Sequence, residues 1–192
     1  MDAKKNELRR RIFARRDLVT PEEARDAAKI VADRGLAFAR ERVAPGATIA
    51  AYWPIRSEIH TRPLIESLAA AGFRTALPVT RESRVLLFRL WSVGDDLTRG
   101  ALGNAEPLPD AEETLPSLLF VPLAAFDARG GRIGYGAGHY DTTLAALRAR
   151  GSVVAAGLAY DVQEIEAVPL EPHDQRLGAV ITETRTLTFG PA

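Results

Sequence analysis

Glycine is concentrated in one short segment that carries other reactive side chains. Five glycines fall within nine residues, between an apolar segment and a predicted helix: Gly130, Gly131, Gly134, Gly136 and Gly138. Glycine permits positive φ angles and close backbone approach, so amides that precede a helix can hold an anion such as phosphate. The spacing matches neither the dinucleotide motif G-x-G-x-x-G nor the P-loop. A flexible surface loop is the alternative interpretation.

Charged and aromatic residues flank these glycines. Arg132 lies among them, and His139, Tyr140 and Asp141 follow directly. A cation, aromatic rings and a carboxylate suit a phosphate, a planar ring and a metal ion respectively. These flanking residues favour a ligand-binding loop over a flexible surface loop.

A second cluster, Glu171-Pro172-His173-Asp174, lies between two predicted strands. A carboxylate that follows a strand of an α/β fold is well placed to meet Asp141. Two aspartates from separate loops are a usual way to hold Mg²⁺ beside phosphates. The alternative is a turn in which Asp174 caps a helix.

Basic residues dominate the N-terminal segment. On a helix, Lys5, Arg9 and Arg16 fall within about 40° of one another. Such a stripe could bind phosphates. A solvated basic helix face is the alternative.

An aromatic pair and a carboxylate follow the first predicted strand. Tyr52 and Trp53 precede Glu58, a combination that suits a flat heterocycle bearing amino groups. The alternative is a core tryptophan, with Glu58 near the start of a helix whose dipole favours a negative charge.

The elements that must position these residues follow from apolar periodicity and capping signals. Thr20, Pro21 and Glu23 form a capping box that begins a helix ending near Arg42. Further helices are predicted from the N-terminus to Asp17, over 61–71 and over 142–150. Strands are predicted over 48–53, 75–78, 85–91, 118–121, 152–160, 179–182 and 185–189. The acidic, Pro- and Gly-containing segment 95–113 is predicted to be irregular surface structure.

Apolar strands that alternate with helices indicate a mostly parallel sheet covered on both faces. We therefore expect a three-layer α/β/α sandwich, formed by a single domain over residues 1–192. Ligands of such folds bind at the carboxyl ends of the strands. The glycine-rich segment, the 171–174 cluster and the segment with Tyr52, Trp53 and Glu58 each follow a predicted strand.

Composition excludes several classes of protein. The chain has 192 residues, a hydrophobic fraction of 46% and no cysteine, so disulfides, thiolate metal sites and a cysteine nucleophile are excluded. A formal net charge of zero argues against general nucleic-acid binding. The N-terminus lacks an apolar signal region, and the longest apolar stretch, 118–126, is too short to span a bilayer. We expect a cytoplasmic protein without membrane or nucleic-acid partners.

The clusters together resemble the 5-formyltetrahydrofolate cyclo-ligase family, also called methenyltetrahydrofolate synthetases. Lys5-x-x-Leu8-Arg9 matches the family's opening, and Tyr52-x-Pro54 with Glu58 and Thr61 matches its sheet-end motif. The central signature is matched by 121–127 and 131–141, and the C-terminal block by 157–163, 169–174 and 181–183. The resemblance covers nearly the whole chain, in the right order and spacing.

Two residues depart from the family pattern. The first of the two usual tyrosines before the aspartate is His139 here, and the usual arginine after it is Thr142. Histidine is still planar and can stack or donate a hydrogen bond. The missing arginine removes one possible phosphate contact.

The resemblance implies a Rossmann-like fold and an ATP-dependent ring closure that converts 5-formyltetrahydrofolate to 5,10-methenyltetrahydrofolate, with ATP as cosubstrate and Mg²⁺. It implies catalytic roles for Lys5, Arg132 and Tyr140. It implies that ATP is bound by Lys5, Arg9, Arg132, Ile133, Gly134, Tyr135, Gly136, Ala137, Gly138, His139 and Tyr140. Folate would contact Trp53, Glu58, Gly136, His139 and Tyr140, and Mg²⁺ would be held by Asp141 and Asp174.

The small molecules 5-formyltetrahydrofolate and ATP are the expected partners, and we expect a monomer. A non-catalytic nucleotide- or folate-binding module on the same fold is the alternative, because fold alone does not determine function. The joint presence of Lys5, Glu58, Asp141 and Asp174 favours the enzyme.

Overall fold

The computed structural model describes residues 2–101 and 103–190. The other four positions, which the predicted single domain includes, lie outside the described residues. The helices are α1 (Asp2–Arg16), α2 (Pro21–Arg42), α3 (Arg62–Ala70) and α4 (His139–Arg148), and Asp161–Gln163 form one turn of 3-10 helix. None of the described helices is long and apolar enough to cross a membrane.

The strands that form the main sheet are β1 (Thr48–Ala50), β2 (Arg74–Val79), β3 (Leu87–Leu90), β6 (Glu113–Thr114), β7 (Leu118–Pro122), β10 (Val154–Leu158), β11 (Ala179–Ile181) and β12 (Thr186–Thr188). Two small hairpins pair β4 (Leu97–Arg99) with β5 (Ala105–Pro107) and β8 (Ala125–Phe126) with β9 (Arg132–Ile133).

The main sheet has the order β12-β11-β10-β7-β1-β2-β3-β6. The five strands from β11 to β2 are parallel to their neighbours, whereas β12 and β3 pair antiparallel at the two sides. The carboxyl ends of the five parallel strands therefore meet along one edge. The predicted mostly parallel α/β fold is confirmed.

Side chains of the parallel strands alternate between two apolar cores. Ile49 and Phe120 lie in the core beneath α2 and α3, whereas Ala50, Leu119 and Val121 lie in the core beneath α4. This alternation follows from the two-residue period of a strand. Both faces are buried, which explains why these strands are apolar throughout.

The capping signal that predicted the start of α2 is confirmed, whereas the Thr61 side chain makes no capping hydrogen bond to α3. Thr20 caps α2, since its hydroxyl accepts a hydrogen bond from the Glu23 amide while the Glu23 carboxylate accepts from the Thr20 amide. α1 covers the β8–β9 hairpin through Ile12, which packs with Ile133 and is fully buried. The N-terminal helix is thus part of the folded core.

Several predicted boundaries differ from the structure, most of all those of α4, β1 and β10. α4 begins at His139 rather than Thr142, because Gly138 takes a positive φ of 74° and ends the loop directly before it. β1 stops at Ala50 rather than Trp53, since the chain then bends away and the Thr61 hydroxyl holds the Tyr52 carbonyl at 2.6 Å. β10 spans only the residues that pair with β7.

The prediction that residues 95–113 are irregular surface structure is wrong in part. This segment contains the β4–β5 hairpin, and Glu106 is buried. One carboxylate oxygen of Glu106 accepts hydrogen bonds from the Thr80 amide at 2.9 Å and from the Asn104 side chain at 3.2 Å. These contacts attach the hairpin to the end of β2.

Asp127 shapes the turn that leads into the glycine-rich loop. Its Oδ1 accepts from the amides of Arg129 at 2.9 Å and Gly131 at 3.0 Å, and its Oδ2 accepts from the Val168 amide at 2.8 Å. Burial alone would raise the pKa of this carboxyl, but these amide hydrogen bonds hold the pKa below its usual value. The charged form is therefore the one that stabilises the turn.

We expect Asp127→Asn to lower the free energy of unfolding at neutral pH by about 2–4 kcal/mol, because its amide group would face the Val168 amide, donor against donor. The lowered pKa implies that the carboxylate stabilises the fold above its unfolded pKa of 3.8 and that this stability is lost as the pH falls below it. Urea unfolding should therefore show a smaller difference in unfolding free energy between Asp127→Asn and wild type at acidic pH than at neutral pH. Asp110→Asn, an exposed change, is the control, and an equal effect of both would contradict the assignment.

Candidate functional site

A cavity of about 520 Å³ opens at the carboxyl ends of the parallel strands. α1, the segment after β1, the glycine-rich loop, the first turn of α4 and the loop 171–174 surround it. Every residue to which the family resemblance gives a site role lines this cavity, including Lys5, Glu58, Asp141 and Asp174. The fold thus brings together all four sequence clusters, whereas the individual roles of their residues stay predictions.

The ammonium of Lys5 joins α1 to the loop 171–174. Its Nζ lies 2.6 Å from Asp174 Oδ2 and 3.0 Å from Glu171 Oε2, with only 8% of the lysine side chain exposed. Burial alone would lower the pKa of Lys5, but the hydrogen bonds and charges of the two carboxylates raise it. Lys5 is therefore a fully charged cation at the cavity wall.

The basic stripe predicted on α1 divides into two parts. Arg9 lines the cavity and donates from Nε to the Gly134 carbonyl at 2.7 Å. Arg16 does not reach the cavity: it is 1% exposed and lies against Phe13 and Tyr135. Only Lys5 and Arg9 of the stripe are placed to meet a ligand there.

The glycine-rich loop needs glycine at two positions. Gly136 and Gly138 take φ angles of 107° and 74°, in the region where other residues are strained. A side chain on Gly136 would also come within about 3.5 Å of the Arg9 guanidinium. The loop ends at the N-terminus of α4, whose free amides favour an anion.

Asp141 lies in the first turn of α4, held by two donors on one oxygen. Oδ1 accepts from Arg132 and from the Gln175 amide, each at 2.9 Å. Oδ2 has no hydrogen bond to any described residue. Arg132 is itself buried, and its Nε has no partner among these residues.

Asp174 has a similar arrangement. Oδ2 accepts hydrogen bonds from Lys5 Nζ and, at 2.7 Å, from the Glu171 amide. The bond to Glu171 closes the turn that was predicted as the alternative, but Asp174 caps no helix among the described residues. Oδ1 lies 3.9 Å from His173 Nε2 and accepts no hydrogen bond within the described part of the chain. Burial would raise the pKa of Asp174, but Lys5 and the Glu171 amide hold it below its usual value.

Sequence reasoning did not assign a ligand role to Glu171 or His173. Donor atoms of Glu171, His173 and Asp174 lie within 4.8 Å of one another, a grouping that excludes Asp141. Their closeness in the sequence was the available signal. Gly103 to Ala105 of the β4–β5 hairpin also line the cavity, and no sequence pattern marked them.

The opposite wall holds Glu58 and Trp53. Glu58 is 4% exposed, and its Oε2 accepts from the Ile55 amide at 2.8 Å. Its Oε1 and the hydroxyl of nearby Tyr135 are buried without a hydrogen-bond partner among the described residues. Burial raises the pKa of Glu58, although the Ile55 amide, Tyr135 and Arg16 oppose this. Trp53 packs edge-to-face on Trp91, with ring centroids 5.5 Å apart.

Tyr140 completes this wall from α4. Burial and the charge of Glu58 raise the pKa of its hydroxyl well above the usual value, while Arg132 opposes the shift. The hydroxyl therefore keeps its proton at neutral pH and can donate a hydrogen bond. His139 Nδ1 lies 3.1 Å from the Arg84 carbonyl, which orients the ring.

Relatives of known name are similar to this chain in sequence. The chain is 34% identical over 180 residues to 5-formyltetrahydrofolate cyclo-ligase of Escherichia coli strain K12, covering 91% of this chain and 97% of that one. The Haemophilus influenzae protein of the same name is 32% identical over 177 residues, 89% and 93% of the two chains.

Two solved structures extend the comparison. The structure of Aquifex aeolicus 5,10-methenyltetrahydrofolate synthetase superposes with a TM-score of 0.80 at 26% identity, covering 98% of this chain and 94% of that one. The Mycoplasma pneumoniae synthetase, at 22% identity and a TM-score of 0.74 over 93% and 98% of the two chains, shows the same fold. The profile of the 5-formyltetrahydrofolate cyclo-ligase family matches residues 1–183. The chain therefore belongs to the 5-formyltetrahydrofolate cyclo-ligase family.

Proposed function

We propose that this chain catalyses the ATP-dependent conversion of 5-formyltetrahydrofolate to 5,10-methenyltetrahydrofolate, with release of ADP and phosphate, in the cavity described above. Family membership over residues 1–183 carries the activity. The cavity supports it because basic side chains, a helix N-terminus, two carboxylates and an aromatic wall with a buried glutamate all face one space.

The chemistry requires activation of the formyl oxygen, which is a poor leaving group. The formyl oxygen attacks the γ-phosphorus of ATP, and the bond from that phosphorus to ADP breaks. N10 of the folate then attacks the activated carbon and loses its proton, and the carbon–oxygen bond breaks to release phosphate. Such a transfer depends on positioning and charge neutralisation rather than on a protein nucleophile. The absence of cysteine from the sequence agrees with this.

We assign the phosphates to the side formed by α1 and the glycine-rich loop. Lys5 and Arg9 supply positive charge, and residues 132–140 enclose the nucleotide with backbone amides. Arg132 is buried against Asp141, with Nε unpartnered among the described residues, so it is oriented before a ligand arrives. In this assignment Lys5 and Arg132 stabilise the charge that develops during phosphoryl transfer.

The two aspartates fit a magnesium ion. Each keeps one carboxylate oxygen without a hydrogen bond to a described residue, and the Gln175 amide bound by Asp141 directly follows Asp174 in the chain. Oxygen ligands of this kind suit Mg²⁺, which supplies charge neutralisation for phosphates when bound. We assign Asp141 and Asp174 as its ligands, while Arg132 and Lys5 orient them through their other oxygens.

We assign folate to the wall formed by Trp53, Glu58, His139 and Tyr140, together with the backbone of Gly136. A pterin presents adjacent N–H donors, which a carboxylate can accept in a bidentate manner. Trp53 offers a flat apolar surface beside it. In this assignment the Tyr140 hydroxyl, which stays protonated, donates a hydrogen bond to the formyl group or to the phosphate in transfer.

We also propose that the enzyme acts as a single-domain monomer in the cytoplasm, without membrane or nucleic-acid partners. The cavity is lined by residues of one chain, and the formal net charge is zero. A monomer therefore contains all the groups to which the reaction is assigned.

Absorbance of methenyltetrahydrofolate provides the direct assay. We expect it to appear when 5-formyltetrahydrofolate, ATP and Mg²⁺ are all present, and to fail when any one is omitted. Binding of both ligands without formation of product would instead support the alternative, a non-catalytic binding module.

Lys5→Met should weaken ATP binding about tenfold or more, because a charge-assisted contact to phosphate contributes about 1.5–3 kcal/mol. Affinity for 5-formyltetrahydrofolate should change little. A point variant is preferable to removal of residues 1–16, since that helix contributes buried Ile12 and Arg16 to the core. Calorimetry is the measurement and Lys4→Met, at an exposed neighbour, the control. Unchanged ATP affinity in Lys5→Met would limit Lys5 to a structural role, in its ion pairs with Asp174 and Glu171.

Asp141→Asn should remove most activity and raise the Mg²⁺ concentration that activity requires. The asparagine oxygen can still accept from Arg132 and Gln175, so the change falls on the oxygen assigned to the metal. Activity would be titrated with Mg²⁺, with circular dichroism to verify the fold and exposed Asp33→Asn as the control. Wild-type activity with wild-type metal dependence would refute the ligand assignment.

Glu58→Gln should lower kcat/KM for folate by an amount corresponding to about 2–4 kcal/mol. The glutamine oxygen can accept from Ile55, which leaves the amide group at the Oε1 position, where it would oppose the pterin donors. The KM for ATP should change much less, and exposed Glu41→Gln should resemble wild type. If Glu58→Gln impaired ATP binding and spared folate, the two assigned sides of the cavity would have to be exchanged.

A further inference from the structure

Arg16, the last residue of α1, is a buried cation that the assignments above do not use. It is 1% exposed and is among the largest side chains buried to this extent in the described part of the chain. Its Nε donates to the Ser57 hydroxyl at 3.0 Å, and Ser57 in turn donates to Asp17. Its NH1 is buried without a hydrogen-bond partner among the described residues. Burying a guanidinium in this way is costly unless nearby charge or function offsets it.

The surroundings of Arg16 lead directly to the folate wall. Its guanidinium carbon lies 5.0 Å from the ring centre of Phe13 and 5.8 Å from that of Tyr135, and these two rings lie 5.1 Å apart. Tyr135 lines the cavity, whereas Arg16 lies behind it. Ser57, which accepts from Arg16, directly precedes Glu58. Arg16 is thus linked to the folate wall in two ways: its guanidinium packs on the Tyr135 ring, and it donates a hydrogen bond to Ser57, the neighbour of Glu58.

Three buried polar atoms in this region lack hydrogen-bond partners among the described residues: Arg16 NH1, Glu58 Oε1 and the Tyr135 hydroxyl. Glu58 interacts electrostatically with Tyr52 of the segment after β1, Tyr135 of the glycine-rich loop, Tyr140 of α4 and Arg16 of α1. Three of these four groups are neutral phenols. Arg16 is the one that carries positive charge.

We propose that Arg16 is a positioning residue for the folate wall: it keeps Glu58 ionised and holds the Tyr135 ring in place, without itself touching the substrate. The inference rests on the proposed function of Glu58 as the acceptor for pterin donors. The ionised state of the Glu58 carboxylate then depends on Arg16, a cation of α1 that lies outside the cavity lining.

The charge state of the buried Glu58 carboxyl depends on burial and on neighbouring charge. Burial raises the pKa of Glu58, and the positive charge of Arg16 opposes that rise. Without Arg16, protonation of Glu58 extends to higher pH. A protonated carboxyl carries an O–H donor where the pterin requires an acceptor. Folate binding should therefore fail at a higher pH than in wild type as the solution is acidified.

The test uses the full-length enzyme and measures affinity for 5-formyltetrahydrofolate by calorimetry from about pH 5 to about pH 9. Arg16→Gln keeps a donor for Ser57 but removes the charge, whereas Arg16→Lys keeps the charge. Arg15→Gln, at an exposed neighbour on the same helix, is the matched control. Affinity for ATP is measured on each variant at neutral pH.

We expect the pH below which folate binding is lost to be higher in Arg16→Gln than in wild type, with recovery of affinity at higher pH and with ATP affinity unchanged. Arg16→Lys should restore most of the wild-type pH profile, and Arg15→Gln should match wild type. In a Glu58→Gln background, replacing Arg16 should no longer move the pH profile, because the titrating group is absent.

A pH profile of Arg16→Gln identical to that of wild type would overturn the inference, and so would equal weakening of folate and ATP binding. Should Arg16→Gln fail to fold, Arg16→Lys still decides: a profile displaced to higher pH despite the retained charge would refute the electrostatic role. Failure of the proposed function is distinguishable, since wild-type enzyme would then form no methenyltetrahydrofolate from ATP and 5-formyltetrahydrofolate.

Discussion

The contact of the Lys5 ammonium with Asp174 and Glu171 is the interaction on which the nucleotide side of the site depends. It joins residues 166 and 169 positions apart in the chain, at 3.0 and 2.6 Å. Through it, the N-terminal helix and the loop 171–174 together form one side of the cavity. The same contact sets a cation beside a carboxylate in the region to which we assign the phosphates and Mg²⁺.

The sheet, the turn held by Asp127 and two glycines position the remainder of the site. Parallel strands bring the segments after β1, β7 and β10 to one edge, where their loops must meet. Asp127 holds the turn before the glycine-rich loop through three backbone amides, and Gly136 and Gly138 supply the positive φ angles that lead into α4. Phosphoryl transfer depends on positioning, and these features fix the shape of the loop.

The sequence was sufficient for features that depend on local rules or on topology. The Thr20–Glu23 capping box is local, and the convergence of Asp141 and Asp174 on one cavity follows from the edge where parallel strands end. The sequence was insufficient where contacts between residues far apart in the chain determine which side chains are buried. Helical periodicity gave Arg16 the same face as Lys5 and Arg9, but only the fold shows that Phe13 and Tyr135 bury it. Likewise, an acidic segment does not reveal that Glu106 turns inward to bind the Thr80 amide.

The central claim is that this cavity brings the formyl oxygen of folate to the γ-phosphate of ATP for direct transfer. The most direct test follows an isotopic label placed on the formyl oxygen of 5-formyltetrahydrofolate through one turnover, with mass analysis of the products. The account predicts that the label is recovered in the released phosphate, because the activated oxygen leaves with phosphorus. Recovery of the label in water, with none in phosphate, would contradict it.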